Sequence, residues 1–89
     1  DLASGEYSRA VDFGALGAEV VVASFLEDRG GRVAPVAAFA KKARGLMASY
    51  VIRNRLSEPD QMKSFDLEGY RFDAERSSHV EYVFTRSDS

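Results

Sequence analysis

The sequence predicts an α+β fold: a hairpin of two strands, one long amphipathic basic helix, a short helix and a C-terminal strand. Three observations lead to this fold class. A β-branched apolar run precedes two adjacent glycines, which is typical of a strand that enters a hairpin turn. Apolar residues over 39–55 then recur with the period of a helix. Residues 80–86 alternate in the way that the two faces of a strand do.

The segment before the hairpin carries the signals of a short helix. Ser4 is a favourable N-cap residue, and Glu6 would lie in the first turn. A helix is therefore expected over residues 5–12, with Gly14 and Gly17 ending it.

The hairpin follows. A strand is expected over residues 19–26, a loop over 27–31 and a return strand over 32–38. Because Pro35 has no N–H to donate, its position in the return strand is expected to be an unpaired edge or a bulge.

The helix over 39–55 is the clearest element. At 100° per residue, its apolar side chains fall in one arc, and its basic and small residues take the other. The apolar arc contains Phe39, Ala40, Ala43, Leu46, Met47, Tyr50, Val51 and Asn54. Leu46, Met47, Tyr50 and the strand residues 20–26 are the expected core.

The C-terminal third alternates short elements with loop. Ser57 is expected to cap a short helix that has Pro59 in its first turn and runs to about Phe65. Residues 66–78 are expected to be loop, and 80–86 a strand.

Length and composition limit the class of protein. Eighty-nine residues allow one domain at most, and the absence of cysteine excludes disulfides and thiolate metal sites. No apolar run approaches the roughly 20 residues that a bilayer requires, so no membrane partner is expected. The expected location is cytoplasmic.

Catalytic and metal sites are not predicted within this chain, and no cofactor is expected. His79, the sole histidine, has no partners at ligand spacing and is expected at the surface. Asp66, Glu68, Asp73 and Glu75 could hold magnesium or act as acid and base, but a solvated acidic loop is the simpler interpretation.

The net charge of −2 conceals an uneven distribution, because residues 32–57 hold six basic side chains and no acidic one. Lys42 and Arg53 are eleven residues apart, which places them on one side of a helix about 16 Å apart. Arg44 and Arg55 form a second pair with the same spacing. Small residues between the two rows would admit a phosphate backbone. The candidate phosphate-binding residues are Lys41, Lys42, Arg44, Gly45, Arg53 and Arg55.

Two other interpretations of the basic arc stay open. Such residues are often only the solvated face of a helix, and they could also bind carboxylates of another segment. Ile52 lies within the polar arc and suggests that part of this arc is covered.

Four blocks of the sequence resemble the YaaA family of bacterial peroxide-stress-response proteins. Asp1–Tyr7 resembles the family's NLAS-x-EY stretch, and Ala40–Ala48 its AKKARGLMA signature. Phe65–Asp73 is similar to its F-x-x-EGY-x-F block, and Val83–Arg86 to its closing VF-x-R. The blocks occur in the family's order over the whole chain, which is expected to be the C-terminal third of a larger YaaA-like α/β fold.

The resemblance implies a protein that limits the damage peroxide causes when iron drives hydroxyl-radical formation. Family members are described as binding double-stranded DNA through a positively charged cleft, with a helix-hairpin-helix element that is not found in these residues. Lys41, Lys42, Arg44 and Gly45 match the signature and are the residues expected to line that cleft. The expected partners are duplex DNA and the N-terminal part of the same protein.

Two alternatives to a DNA-binding role remain. The chain could belong to an enzyme acting on a nucleotide or nucleic acid, with catalytic groups supplied mainly by an N-terminal part. It could also be a structural segment whose basic helix docks on that part.

Overall fold

The computed structural model describes residues 8–12 and 20–87, and it confirms the α+β class. One α-helix and three short 3-10 helices accompany a mixed sheet of five strands in the described residues. The strands are β1 (Ser8–Asp12), β2 (Val20–Arg29), β3 (Arg32–Ala34), β4 (Arg71–Phe72) and β5 (Glu81–Ser87). The α-helix, α1, is Ala37–Arg53, and the 3-10 helices are Pro59–Ser64, Leu67–Gly69 and Ala74–Arg76.

The sheet has the order β1-β2-β5-β4, with β3 paired to the far end of β2. Strands β2 and β5 are parallel, and their register sets Phe25 beside Phe84 and Glu27 beside Arg86. The other pairs are antiparallel. β2 lies inside the sheet, with neighbours on both of its edges; Val21, Ala23 and Phe25 on one face are buried, whereas Val22 and Leu26 on the other are half-buried.

The hairpin is confirmed, but its turn is tighter than predicted. Residues 27–29 belong to β2, and the turn consists of Gly30 and Gly31, with φ angles of 64° and 91°. A two-residue turn with positive φ at both central residues is a type I′ turn, whose twist matches the twist of the two strands that it joins. The amide of Gly31 also donates to the Asp28 carboxylate at 2.9 Å.

The return strand is shorter than expected. It ends at Ala34, and α1 already begins at Ala37, so the prediction of a strand over 32–38 was wrong in its second half. Pro35 lies in the connection between the two elements and is neither an edge residue nor a bulge. Proline is tolerated just ahead of a helix, because no helical hydrogen bond requires a backbone N–H at that position.

The helix predicted over 39–55 is α1, shifted two residues toward the N-terminus. Ala40, Ala43 and Met47 are buried against the sheet. The other expected core residues, Leu46 and Tyr50, are partly buried and pack against the same cluster. The ends of the predicted apolar arc, Phe39 and Asn54, are exposed.

The predicted N-terminal helix is wrong where the structure can test it. Ser8–Asp12 is strand β1, antiparallel to β2 with Ala10 opposite Val22. The expected cap at Ser4, the start of the helix and the glycines at 14 and 17 lie outside the described residues. A short helix signal is weak, and the open edge of β2 offers this segment a full set of backbone hydrogen bonds.

The segment after α1 is more structured than predicted. Glu58, not Ser57, caps the first 3-10 helix through a capping box with Gln61. The segment 66–78, expected to be loop, contains β4 and the other two 3-10 helices. The last strand begins at Glu81, one residue later than predicted, and Val80 is 53% exposed.

The core lies between α1 and one face of the sheet. Phe84 contacts the rings of Phe25, Phe65 and Phe72 at centroid distances of 5.5–5.8 Å. Phe84 was not among the expected core residues, although it is fully buried. Within residues 8–12 and 20–87, no helix has both the length and the apolar character that crossing a membrane requires.

Candidate phosphate-binding site

The six residues singled out from the sequence do not form one surface. Lys41, Gly45 and Arg53 are exposed on α1. Arg44 is half-buried, and its Nε is shielded from solvent. Lys42 is exposed but contacts a carboxylate of another segment. Only part of the predicted set is therefore available as an open basic face.

The predicted pair of Arg44 and Arg55 does not form as a row along the helix. The helix ends at Arg53, and Arg55 has a φ of 51°, so it no longer follows the helical period. Arg55 is exposed beyond the end of α1. We call the exposed residues Lys41, Gly45, Arg53 and Arg55 the basic face.

A pocket of about 140 Å³ lies between α1 and the carboxyl ends of β2 and β5, and we call it the charged pocket. Its lining comes from three separate parts of the chain. The lining residues are Phe39, Lys42, Ala43, Glu68, Tyr70 and Arg86.

A buried carboxylate supports this pocket from the sheet. Glu27 is only 4% exposed. Its Oε1 accepts a hydrogen bond from Nε of Arg86 at 2.8 Å, and its Oε2 accepts one from the hydroxyl of Tyr70. Glu27 and Arg86 are register partners on the parallel strands, so the pair is set by the sheet itself. Burying a charge is unfavourable unless it is paired and hydrogen-bonded, and here both conditions are met.

The guanidinium of Arg86 is held from several sides. Its Nη1 donates to the backbone oxygen of Glu68 at 3.0 Å. The rings of Tyr70 and Phe39 lie 4.5 and 5.0 Å from its central carbon. Such contacts fix the planar group in one orientation.

The ionisation states of the network follow from these contacts. Burial, together with the hydrogen bond to Glu27, raises the pKa of Tyr70 above its usual value, so the hydroxyl stays protonated and donates. The hydrogen bond to Glu27 also raises the pKa of Arg86, which remains a cation.

The second cation of the pocket is held less firmly. Nζ of Lys42 lies 3.3 Å from Oε1 of Glu68, and the two side chains are 65% and 44% exposed. An ion pair this exposed contributes about 0–1 kcal/mol. Glu68 itself has a φ of 59°, a backbone conformation that is uncommon for a residue other than glycine.

Other polar residues singled out from the sequence do not converge. His79 is exposed, as expected, beside a pocket of about 470 Å³ at the opposite ends of β2 and β5. Asp73 pairs with Arg76 at 2.9 Å, whereas Glu68 faces Lys42. The described part of the chain contains no group of three or more histidine or carboxylate side chains placed to share a metal ion.

Comparison with known proteins identifies the family. The family model for the peroxide stress protein YaaA matches residues 1–76. The chain belongs to the YaaA family. It is 49% identical over 86 residues to a UPF0246 protein of Maricaulis maris (strain MCS10), a match that covers 97% of this chain and 33% of that protein. It is 50% identical over 84 residues to a UPF0246 protein of Paraburkholderia xenovorans (strain LB400), covering 94% and 32%.

The chain thus spans about a third of the length of these curated YaaA-family relatives. Its charged pocket joins three of the four blocks that carried the resemblance. Lys42 comes from the second block, Glu68 and Tyr70 come from the third, and Arg86 comes from the last.

Sequence reasoning missed most of the pocket. The glycine pattern predicts a loop at Glu27, which conceals that this residue continues the buried face of β2. The available signal was its place six residues after Val21, on the side of the strand that carries Ala23 and Phe25. Arg86 shares a face with Tyr82 and Phe84, so the alternation of β5 could have directed it inward.

Proposed function

We propose that this chain is part of a peroxide stress protein that limits iron-dependent damage by binding double-stranded DNA, and that the basic face holds DNA phosphates. Membership of the YaaA family supports the link to peroxide stress. A duplex-binding protein of a bacterium acts in the cytoplasm, which is the location we propose.

The availability of its charges carries this proposal. Lys41, Arg53 and Arg55 are exposed, and none of them has an ion pair with another residue in the described ranges 8–12 and 20–87. Exposed cations without a partner keep the counterions that a phosphate backbone can replace. Lys42 and Arg44 suit this role less well, because the first pairs with Glu68 and the second is half-buried.

The shape of α1 adds a second argument. A side-chain carbon added at Gly45 would have no atom within 4 Å, so the helix surface is open there. Lys41 and Arg53 are separated by about 18 Å along the helix, which corresponds to about five base-pair steps of a duplex. A phosphate strand could therefore approach the backbone at Gly45 while cations contact it on both sides.

The test is the salt dependence of duplex binding by the full-length protein. Lys41→Ala and Arg53→Ala should each weaken binding and should each reduce the slope of log affinity against log salt by about 1. Arg71→Ala is the matched control, because Arg71 is an exposed cation on β4, next to Phe72 but on the opposite side of the strand. Unchanged slopes in both helix variants would show that the basic face does not bind DNA.

Protection of DNA tests the role in peroxide stress directly. Duplex DNA exposed to ferrous iron and peroxide should be cleaved less when the wild-type protein is present. The Lys41→Ala/Arg53→Ala variant should protect less well, and Arg71→Ala should protect as the wild type does. If all three proteins protect DNA equally, the basic face does not contribute to protection.

A further inference from the structure

The charged pocket has no part in the proposal above, since the basic face lies elsewhere on α1 and beyond its end. We propose that the pocket binds a terminal phosphate group, with Lys42 and Arg86 contacting its oxygens and the carboxylate of Glu68 displaced from Lys42. The ligand class is a phosphate monoester, carried either by a free nucleotide or by the end of a DNA strand.

Its place in the sheet is the first argument. Glu27 and Arg86 lie near the carboxyl ends of the two parallel strands, and α1 packs beside them. Crevices outside the carboxyl ends of parallel strands are where open α/β sheets bind their ligands. The larger pocket beside His79 lies at the opposite, amino ends of these strands.

The fixed position of Arg86 is the second argument. A buried ion pair is seldom more stabilising than apolar residues of the same volume, so its value often lies in orientation. Here Nε of Arg86 donates a hydrogen bond to the carboxylate of Glu27, and Nη1 donates one to the backbone oxygen of Glu68. Nη2 has no hydrogen-bond partner among residues 8–12 and 20–87, which leaves both of its N–H groups for a ligand.

The pair of Lys42 and Glu68 is the third argument. Oε1 of Glu68 marks a position, 3.3 Å from Nζ of Lys42, where an anionic oxygen is accommodated. Both side chains are largely exposed, so a phosphate oxygen can take this position while Glu68 turns to solvent. Replacing the competing carboxylate of Glu68 should therefore change the affinity for phosphate without removing a cation from the pocket.

The size of the pocket determines the ligand class. At about 140 Å³ it is smaller than the roughly 300–1,000 Å³ of sites that hold drug-sized molecules. A space of this size suits a phosphate group better than a whole nucleotide. The rings of Phe39 and Tyr70 form part of its wall. A terminal phosphate, which is attached to the rest of its ligand on one side only, therefore fits better than an internal phosphodiester, which is attached on two sides.

Binding of inorganic phosphate to the full-length protein, measured by calorimetry at matched chloride ionic strength, tests the pocket. Lys42→Ala should weaken binding about tenfold or more, because a charge-assisted hydrogen bond is lost. Glu68→Gln should strengthen binding by up to about fivefold, because the competing charge is removed. Arg71→Ala, the control, should bind as the wild type does. Arg86 is kept in every variant because it also pairs with buried Glu27.

Two results would overturn the proposal: a wild-type protein that binds no phosphate, or equal affinities for the wild type, Lys42→Ala and Glu68→Gln. Competition then identifies the source of the phosphate. Displacement by a nucleoside monophosphate alone assigns a free nucleotide, and displacement by a 5′-phosphorylated duplex but not its 5′-hydroxyl form assigns a DNA end. Displacement by neither excludes the monoester class.

The Lys41→Ala/Arg53→Ala variant separates this proposal from the duplex-binding role. It should bind inorganic phosphate as the wild type does, even if its affinity for duplex DNA falls. Loss of phosphate binding in that variant would place the anion on the basic face and would contradict the pocket.

Discussion

At the scale of single residues, Glu27 is the most informative position in the chain. It is a buried carboxylate in a strand whose neighbouring core residues are apolar, and it orients Arg86 and Tyr70. A side chain with this burial costs free energy unless both of its partners stay in place. The local sequence shows only an acidic residue before a glycine turn. The partners that make its burial tolerable are 43 and 59 residues away.

Replacing Glu27 with Gln tests this interpretation. The substitution leaves the cation of Arg86 without its buried counter-charge, so the free energy of unfolding should fall by about 3 kcal/mol. Urea unfolding measures the change. Glu75→Gln, which removes an exposed carboxylate, should alter the free energy of unfolding by less than about 0.5 kcal/mol. Equal effects at the two positions would show that the buried pair contributes no more than a surface charge.

At the scale of elements, α1 combines a buried face with an open one. Ala40, Ala43 and Met47 lie against the sheet, while Gly45 lies on the exposed side with open space above it. A glycine inside a helix costs about 1 kcal/mol relative to alanine. Nothing in the packing around Gly45 requires it, so its small size is consistent with close approach of a ligand.

The Gly45→Ala variant tests separately the effect of Gly45 on helix stability and its effect on the approach of a ligand. It should raise the free energy of unfolding by about 0.5–1 kcal/mol, because the helix gains propensity without a clash. Its duplex affinity should fall if a phosphate approaches the backbone there. Gly31→Ala is the opposite case, since its φ of 91° strains any side chain, and it should be destabilising. A destabilised Gly45→Ala variant would contradict the open surface seen above this glycine.

At the scale of the whole molecule, the layers are joined by one aromatic cluster. The ring of Phe84 on β5 contacts Phe25 on β2, Phe72 on β4 and Phe65, which follows the first 3-10 helix. Loss of this ring would remove contacts with three separate parts of the chain at once. A chain of this size buries a modest share of its surface, so few other contacts compensate.

Phe84→Ala should therefore lower the free energy of unfolding by about 3–5 kcal/mol. That is a large part of the roughly 5–15 kcal/mol typical of a folded domain. Thermal unfolding followed by circular dichroism would show the loss. Val80→Ala, at an exposed position beside the same strand, should have little effect. A small change at Phe84 would mean that the cluster repacks around the lost ring.

The sequence by itself determined those features whose causes are local. The helical period predicted α1 within two residues, the adjacent glycines placed the hairpin, and the alternation over 80–86 identified β5. The four blocks of resemblance indicated the family from residue identities alone, and the family model confirms it. Exposure of Lys41 and Arg53 also follows from helical geometry alone.

Only the tertiary structure decided the rest. Ser8–Asp12 is a strand because β2 offers it an edge, and β2 runs on to Arg29 because β3 and β5 pair with its end. The charged pocket exists because a parallel register sets Glu27 beside Arg86. Strand pairing and burial depend on which segments meet, and neither spacing nor propensity along one segment encodes that choice.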